Sequence, residues 1–193
     1  MWITRFDERV TRYWLNHRFS GKIDTLFRFY TRMGDGYIWA LVIAYVLIRY
    51  GGVFFSKIVI QVLISLLVCL TLYWVIKLCV RRRRPFDVID EVKSLIPPLD
   101  KYSFPSGHTM NNLAIAATVC AFAPEVGWIM VFLPLTWGLL RVYFGVHCLS
   151  DVVGGFFLGI LSFAIANRLW LFFGSTIVNF LLSFQCHLQV FQK

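Results

Sequence analysis

An all-α membrane bundle is the fold class this chain predicts, and composition, uncharged runs and the placing of the polar residues predict it. Of 193 residues, 59% are hydrophobic and 18% aromatic, against roughly 45–50% apolar usage in soluble domains. Several uncharged runs approach the length of a bilayer crossing. The polar residues that interrupt them collect at a few points of the chain, where the runs begin and end. A length of 193 residues suits one domain, 1–193.

The N-terminal region, 1–35, mixes Arg and Lys with Trp, Phe, Tyr and Leu at helical spacing and lacks the uninterrupted apolar core of a signal peptide. It predicts one or two amphipathic helices in the membrane interface, cations toward headgroups and aromatics toward acyl chains. The net charge of +9 then finds its partner in anionic lipid rather than in nucleic acid. Tyr37 to Phe55 reads as the first crossing, with Arg49 snorkelling at its far end. Ile58 to Ile76 is uncharged between Lys57 and Lys77, close to the ~20 residues a spanning helix needs. Thr109 to Ala123 and Val126 to Leu140 flank Pro124-Glu125, a helix stop and start, and predict a hairpin. Val152 to Phe184 carries Arg168 alone and exceeds one bilayer thickness, so a full crossing is followed by a sixth short one or by an interfacial tail. The expectation is five or six transmembrane helices with an amphipathic interfacial N-terminal region.

Cys69, Cys79, Cys120, Cys148 and Cys186 stand singly, with no Cys-x-x-Cys spacing. Most lie in apolar runs, where a thiol behaves as a small buried hydrophobe.

Three polar clusters, within residues 77–151, carry the chemistry. "KLCVRRRRP" runs from Lys77 to Pro85 at the end of one crossing, "PSGH" from Pro105 to His108 at the entry to the next, and "RVYFGVHCLSD" from Arg141 to Asp151 after the hairpin. Following the chain out at Lys77, in at His108, around Pro124 and back at Arg141 puts all of them on one membrane face. In the second cluster, Pro105 biases Phe104 away from helix, Ser106 suits an N-cap and Gly107 permits close approach to the backbone. Such a helix start offers amides to an anion, with His108 in its first turn. His147 and Asp151, four apart, share a helical face, so the carboxylate can fix the imidazole tautomer and stabilise a positive ring. Lys77, Arg84 and Arg141 can cage a phosphoryl group, and three cations neutralise its charge. Such a cage needs no metal, and the sequence lacks the carboxylate clusters of magnesium or manganese sites. Each piece alone also has a plain reading as a membrane-boundary anchor or a polar bridge between helices. Asn111 and Asn112 read as hydrogen bonds between helices, and Gly155-x-x-x-Gly159 as close helix packing.

Taken in order, Lys77-x6-Arg84-Pro85, Pro105-Ser106-Gly107-His108 and Arg141-x5-His147-x3-Asp151 resemble the signature of the type 2 phosphatidic acid phosphatase superfamily. That superfamily holds lipid phosphatases, undecaprenyl diphosphate phosphatases, lipid A phosphatases and vanadium haloperoxidases. The resemblance implies that His147 attacks phosphorus to form a phosphohistidine, that Asp151 orients it, and that His108 serves as acid and then base. It implies phosphoryl binding by Lys77, Arg84 and Arg141 with Ser106 and the Gly107 amide, and no cofactor or metal. Arg84 is chosen from "RRRR" by its spacing, leaving Arg81, Arg82 and Arg83 as headgroup or topology charges. The family's serine before the third-cluster arginine is replaced by Leu140.

The expected substrate keeps its tails in lipid and offers a phosphorylated headgroup, covered by the loop Phe86 to Lys101. Phosphatidic acid, phosphatidylglycerol phosphate, undecaprenyl diphosphate and lipid A phosphates all fit. The same residues also serve a phosphotransferase, and a non-catalytic phospholipid-binding protein can retain the cage. The positive-inside count argues for a cytoplasmic site, yet cations needed by catalysis are no topology signal. The expected placement is a bacterial inner membrane with the site facing the periplasm.

Overall fold

The structure is a computed structural model that describes residues 4–190; the two chain ends and the side chains at positions 52, 53, 175, 177, 178 and 181–190, Cys186 among them, lie outside what it describes. Its helices are α1 (Arg5–Asn16), α2 (Gly21–Arg32), α3 (Ile38–Tyr50), α4 (Gly52–Val80), α5 (Gly107–Phe122), α6 (Pro124–Tyr143) and α7 (Leu149–Val190). No strand occurs among the described residues. The membrane helical bundle expected from the sequence is the observed architecture.

Helix α5 is the axis. It packs against α4, α6 and α7, and its buried positions, from His108 through Met110, Leu113 and Ala116 to Val119, go all the way round. A helix walled by protein needs neither an amphipathic stripe nor a full bilayer length, and α5 has 16 residues. By length and composition four segments among the described residues are able to cross a membrane: Gly21–Tyr50, Phe54–Asp87, Pro124–Tyr143 and Leu149–Gly174. Gly155 and Gly159 face α5, as the small-residue spacing predicts. A Cβ on Gly155 would lie 2.8 Å from the Ser106 carbonyl oxygen, so α7 approaches the start of α5 as closely as backbones allow.

Two boundaries differ from expectation. The helix of the first crossing ends at Tyr50, not Phe55, and is continuous with α2. Helix α2 runs into α3 through a π-helical turn, Met33–Tyr37, in which Gly36 takes φ +124°, a value that favours glycine. At the other end, α7 continues unbroken to Val190, with no turn toward a sixth crossing or separate tail. No proline follows Pro134 and no glycine follows Gly174 to stop it.

Both membrane faces are marked. On one, the Tyr50 hydroxyl donates to Glu125 beside the α3–α4 and α5–α6 turns. On the other lie Lys77, His108, Arg141 and the N-terminal helices. There the Phe19 amide donates to the Tyr143 hydroxyl at 3.1 Å, and the Phe19 and Phe27 rings pack on Tyr143.

Candidate active site

The polar clusters meet in one pocket. Arg84, Gly107, His108, Arg141 and His147 line it, joined by Tyr73 and Asp100. Lys77 and Ser106 are buried one layer behind the lining, and Asp151 lies behind His147. The Ser106 hydroxyl makes no cap bond to the helix start; it accepts from Thr109 Oγ1 at 3.3 Å, while the Ser106 amide donates to the Asp151 carbonyl at 3.0 Å.

His147 reaches the pocket because α6 stops at Tyr143 and the chain reverses through Gly145, whose φ of +75° lies in the left-handed region. The reversal also aims the Val146 carbonyl at Arg84 Nη1, which donates to it at 2.7 Å. His147 Nδ1 stands 3.4 Å from Asp151 Oδ2, beyond ordinary hydrogen-bond length, and has no hydrogen-bond partner among the described residues. Asp151 Oδ2 accepts in turn from the Cys148 amide at 2.7 Å, an end-of-helix contact that locks the carboxylate. Burial lowers the His147 pKa to about 4; Asp151 opposes the shift, and Arg84 and Arg141 add to it. The ring is therefore neutral at neutral pH, with a free electron pair.

His108 pairs with a residue the sequence reading missed. Its Nε2 lies 2.6 Å from Asp35 Oδ1, and Arg141 Nη2 lies 2.8 Å from its Nε2 and 3.0 Å from its Nδ1. A guanidinium can only donate and a carboxylate only accept, so the His108 ring is held between a donor and an acceptor. Asp35 sits in the π-helical turn before Gly36, and Asn112 pins that turn by donating to the Gly34 carbonyl at 2.9 Å. Asn112 also accepts from Trp39 Nε1 at 2.6 Å, the interhelical role expected of it.

Asp100 occupies the cation cage. Its carboxylate accepts from Lys77 Nζ at 2.7 Å, from Arg84 Nη2 at 2.9 Å and from the Tyr73 hydroxyl. The remaining cavity of about 20 Å³ has room for about one water. Burial pushes the Asp100 carboxyl up, but its bonds to Lys77 and Tyr73 outweigh that and hold it below its ordinary value.

Arg82 overturns its assignment as a topology charge. It is 5% exposed, and its guanidinium bridges Asp151 Oδ1 and Asp7 Oδ2, each at 2.7 Å. Helix α4 ends at Arg81 in left-handed conformation, φ +48°, and the following segment carries Arg84 extended, at φ −79° and ψ 157°. Extended chain alternates faces, so Arg82 and Arg84 turn inward while Arg81 and Arg83 face out. Asp7, in the region expected to be purely interfacial, is fully buried.

Residues 58–174 match the PAP2 superfamily model. The chain belongs to the PAP2 superfamily. It is 31% identical to the undecaprenyl-diphosphatase of Sulfolobus acidocaldarius over 146 residues, covering 75% of this chain and 69% of that protein. Its fold matches Aquifex aeolicus LpxE with a TM-score of 0.71 at 23% identity, over 86% of this chain and 96% of that one. It also matches the transmembrane PAP2 type phosphatidylglycerolphosphate phosphatase from Bacillus subtilis with a TM-score of 0.62 at 24% identity, over 84% and 83% of the two chains.

Proposed function

We propose that this multi-pass membrane protein removes phosphate from a lipid phosphate or diphosphate through a phosphohistidine, with no metal. The observation that carries the reading is the meeting of His147, His108, Arg84 and Arg141, from separate parts of the chain, around one pocket at the membrane face. With Nδ1 turned to Asp151, the His147 Nε2 electron pair attacks phosphorus. The bond from phosphorus to the lipid oxygen breaks, its electron pair leaves with that oxygen, and His108 supplies the proton. His108 then takes a proton from water as the water oxygen attacks phosphorus, and the phosphorus–nitrogen bond breaks to free His147. Such covalent catalysis splits one hard step into two. Arg84, Arg141 and Lys77 hold the equatorial oxygens, with the Gly107 amide at the same wall and Ser106 supporting it from behind.

A lipid substrate is supported by an apolar cavity of about 300 Å³ lined by Trp39, Val42, Val46, Ile58, Val62 and Val119. It starts at Gly36, next to Asp35, and offers a hydrocarbon chain a place beside the site. For the inner membrane with the site toward the periplasm, the support is that Lys77, Arg82, Arg84 and Arg141 are buried and drop out of a topology count. Reporter fusions at each chain end decide the side.

The test is phosphate release in detergent micelles, with EDTA present, from undecaprenyl diphosphate, phosphatidylglycerol phosphate, phosphatidic acid and lipid A. Undecaprenyl diphosphate comes first, since the relative matched over 146 residues bears that activity in its name. Release that survives EDTA and vanishes in His147→Ala is expected. Release that persists in that variant sinks the mechanism.

A further inference from the structure

We propose that Asp7, on the interfacial helix α1, is a positioning residue for the reaction, acting through Arg82 on the Asp151–His147 pair. The inference rests on the phosphohistidine reading and adds to it a part of the chain outside the three motifs.

The contacts form one buried chain. Thr4 caps α1 and holds Asp7 twice: its Oγ1 accepts from the Asp7 amide at 3.1 Å and donates to Asp7 Oδ2 at 3.0 Å. Asp7 Oδ1 accepts from the Ser150 amide at 3.0 Å, and Oδ2 accepts from Ser150 Oγ at 2.7 Å and Arg82 Nη2 at 2.7 Å. Arg82 Nη1 donates to Ser150 Oγ at 2.6 Å and to Asp151 Oδ1 at 2.7 Å. Asp7 therefore caps the first turn of α7 from another helix, and it fixes the guanidinium that fixes Asp151. A helix start favours an anion in this position.

Charge gives the arrangement its purpose. Arg82 alone would neutralise Asp151 and cancel its pull on the histidine. With Asp7 present, the trio Asp7–Arg82–Asp151 keeps one net negative charge beside His147, as required to stabilise the cationic ring of a phosphohistidine. His147 is also faced by Arg84 and by Arg141 of α6, both positive, so the trio's negative charge opposes them. The Cys148 thiol, close to Asp7, Arg82 and Asp151, is held neutral, its pKa pushed up by burial.

The two ends of the tether predict opposite electrostatic signatures. Asp7→Asn removes a negative charge, which makes His147 less basic and moves the acid limb of kcat/KM to lower pH. Arg82→Gln removes a positive charge and moves that limb to higher pH. Each lowers kcat about tenfold, typical of a partner one layer behind a reacting group, with KM for the lipid changed less than twofold. The double variant returns the limb toward its wild-type position, and its kcat loss is smaller than the product of the single losses.

The measurement uses the full chain in detergent, with wild-type phosphate release as the baseline. Loss of folding alone would reduce the active fraction without moving either pH limb. If Asp7→Asn does not fold, Ser150→Ala tests the same tether by removing the hydroxyl that bridges Asp7 and Arg82; a several-fold lower kcat with KM unchanged is expected. Wild-type kcat and pH profile in a folded Asp7→Asn, or in Ser150→Ala where that variant stands in, overturn the proposal. Absence of release from the wild-type protein overturns instead the phosphatase reading beneath it.

Discussion

Two carboxylate clusters flank the pocket, one in front and one behind, and they are built from the same groups. In front, Asp100 holds Lys77 and Arg84, and its side chain is 15% exposed. Behind, Asp7 and Asp151 share Arg82, and both carboxylates are fully buried. Burial separates their uses. Breaking a buried pair strands a charge at a cost of about 3–5 kcal/mol, so the rear cluster is a fixture. The front carboxylate can be exchanged for phosphoryl oxygens, which offer a guanidinium the same geometry, so Lys77 and Arg84 stay paired throughout. With Asp100 on these cations the cavity is about 20 Å³.

The largest expected effect comes from breaking the rear cluster where it touches His147. Asp151→Asn keeps the shape but removes the charge that, in the proposed mechanism, balances the phosphorylated ring, and it leaves Arg82 with Asp7 as its one carboxylate. In triads of comparable logic the change costs up to about 10⁴-fold in kcat. Because His147 and Asp151 here stand 3.4 Å apart, about 10³-fold is expected, with KM little changed. Single-turnover phosphate release checks it. A loss below tenfold would mean that the rear cluster serves stability more than chemistry.

The difference in burial also explains which parts were legible in the sequence. Long apolar runs, the Pro124-Glu125 break and the spacing of the three motifs each follow from local rules, and the bundle appears where those rules put it. Arg82, Asp7 and Asp35 obey a rule that spans elements. Arg82 turns inward because α4 ends at Arg81 and the chain then alternates, yet inside "RRRR" nothing marks where the helix stops. Asp7 and Asp35 lie in a segment whose cations and aromatics describe an interfacial helix, and their partners are 75 and 73 residues away in sequence. A signal did exist: an acidic residue in a strongly basic amphipathic segment calls for a partner, and Arg82 supplies it for Asp7 and His108 for Asp35. The continuous α7 was hidden for the opposite reason, since an apolar run longer than a bilayer says nothing of where it turns.

A smaller effect is expected at the front. Asp100→Asn removes the charge that competes for Lys77 and Arg84 while keeping the side-chain shape. Inorganic phosphate or vanadate should then inhibit about fivefold more tightly, equivalent to roughly 1 kcal/mol, and KM should fall with kcat nearly unchanged. Because Asp100 is held below its ordinary pKa, it stays a carboxylate from pH 5 to 8, and the difference between variant and wild type should be flat across that range. Weaker inhibition in the variant would show that Asp100 belongs to the cage permanently, which would erase the contrast between front and rear.

The smallest effect is expected one residue away from the largest burial. Arg83 lies between Arg82 and Arg84 but faces outward, and its bond to Ser103 Oγ uses the backbone carbonyl, which substitution leaves in place. Arg83→Ala should therefore change kcat by less than twofold and stability by no more than about 0.5 kcal/mol, the usual range for an exposed site. Arg82→Ala in the same assay should lose kcat and fold less stably, because it leaves two buried carboxylates without their shared cation. The alternation along this extended segment is the physical claim under test, and equal losses at both positions would show that the segment does not hold its inward and outward faces in the membrane.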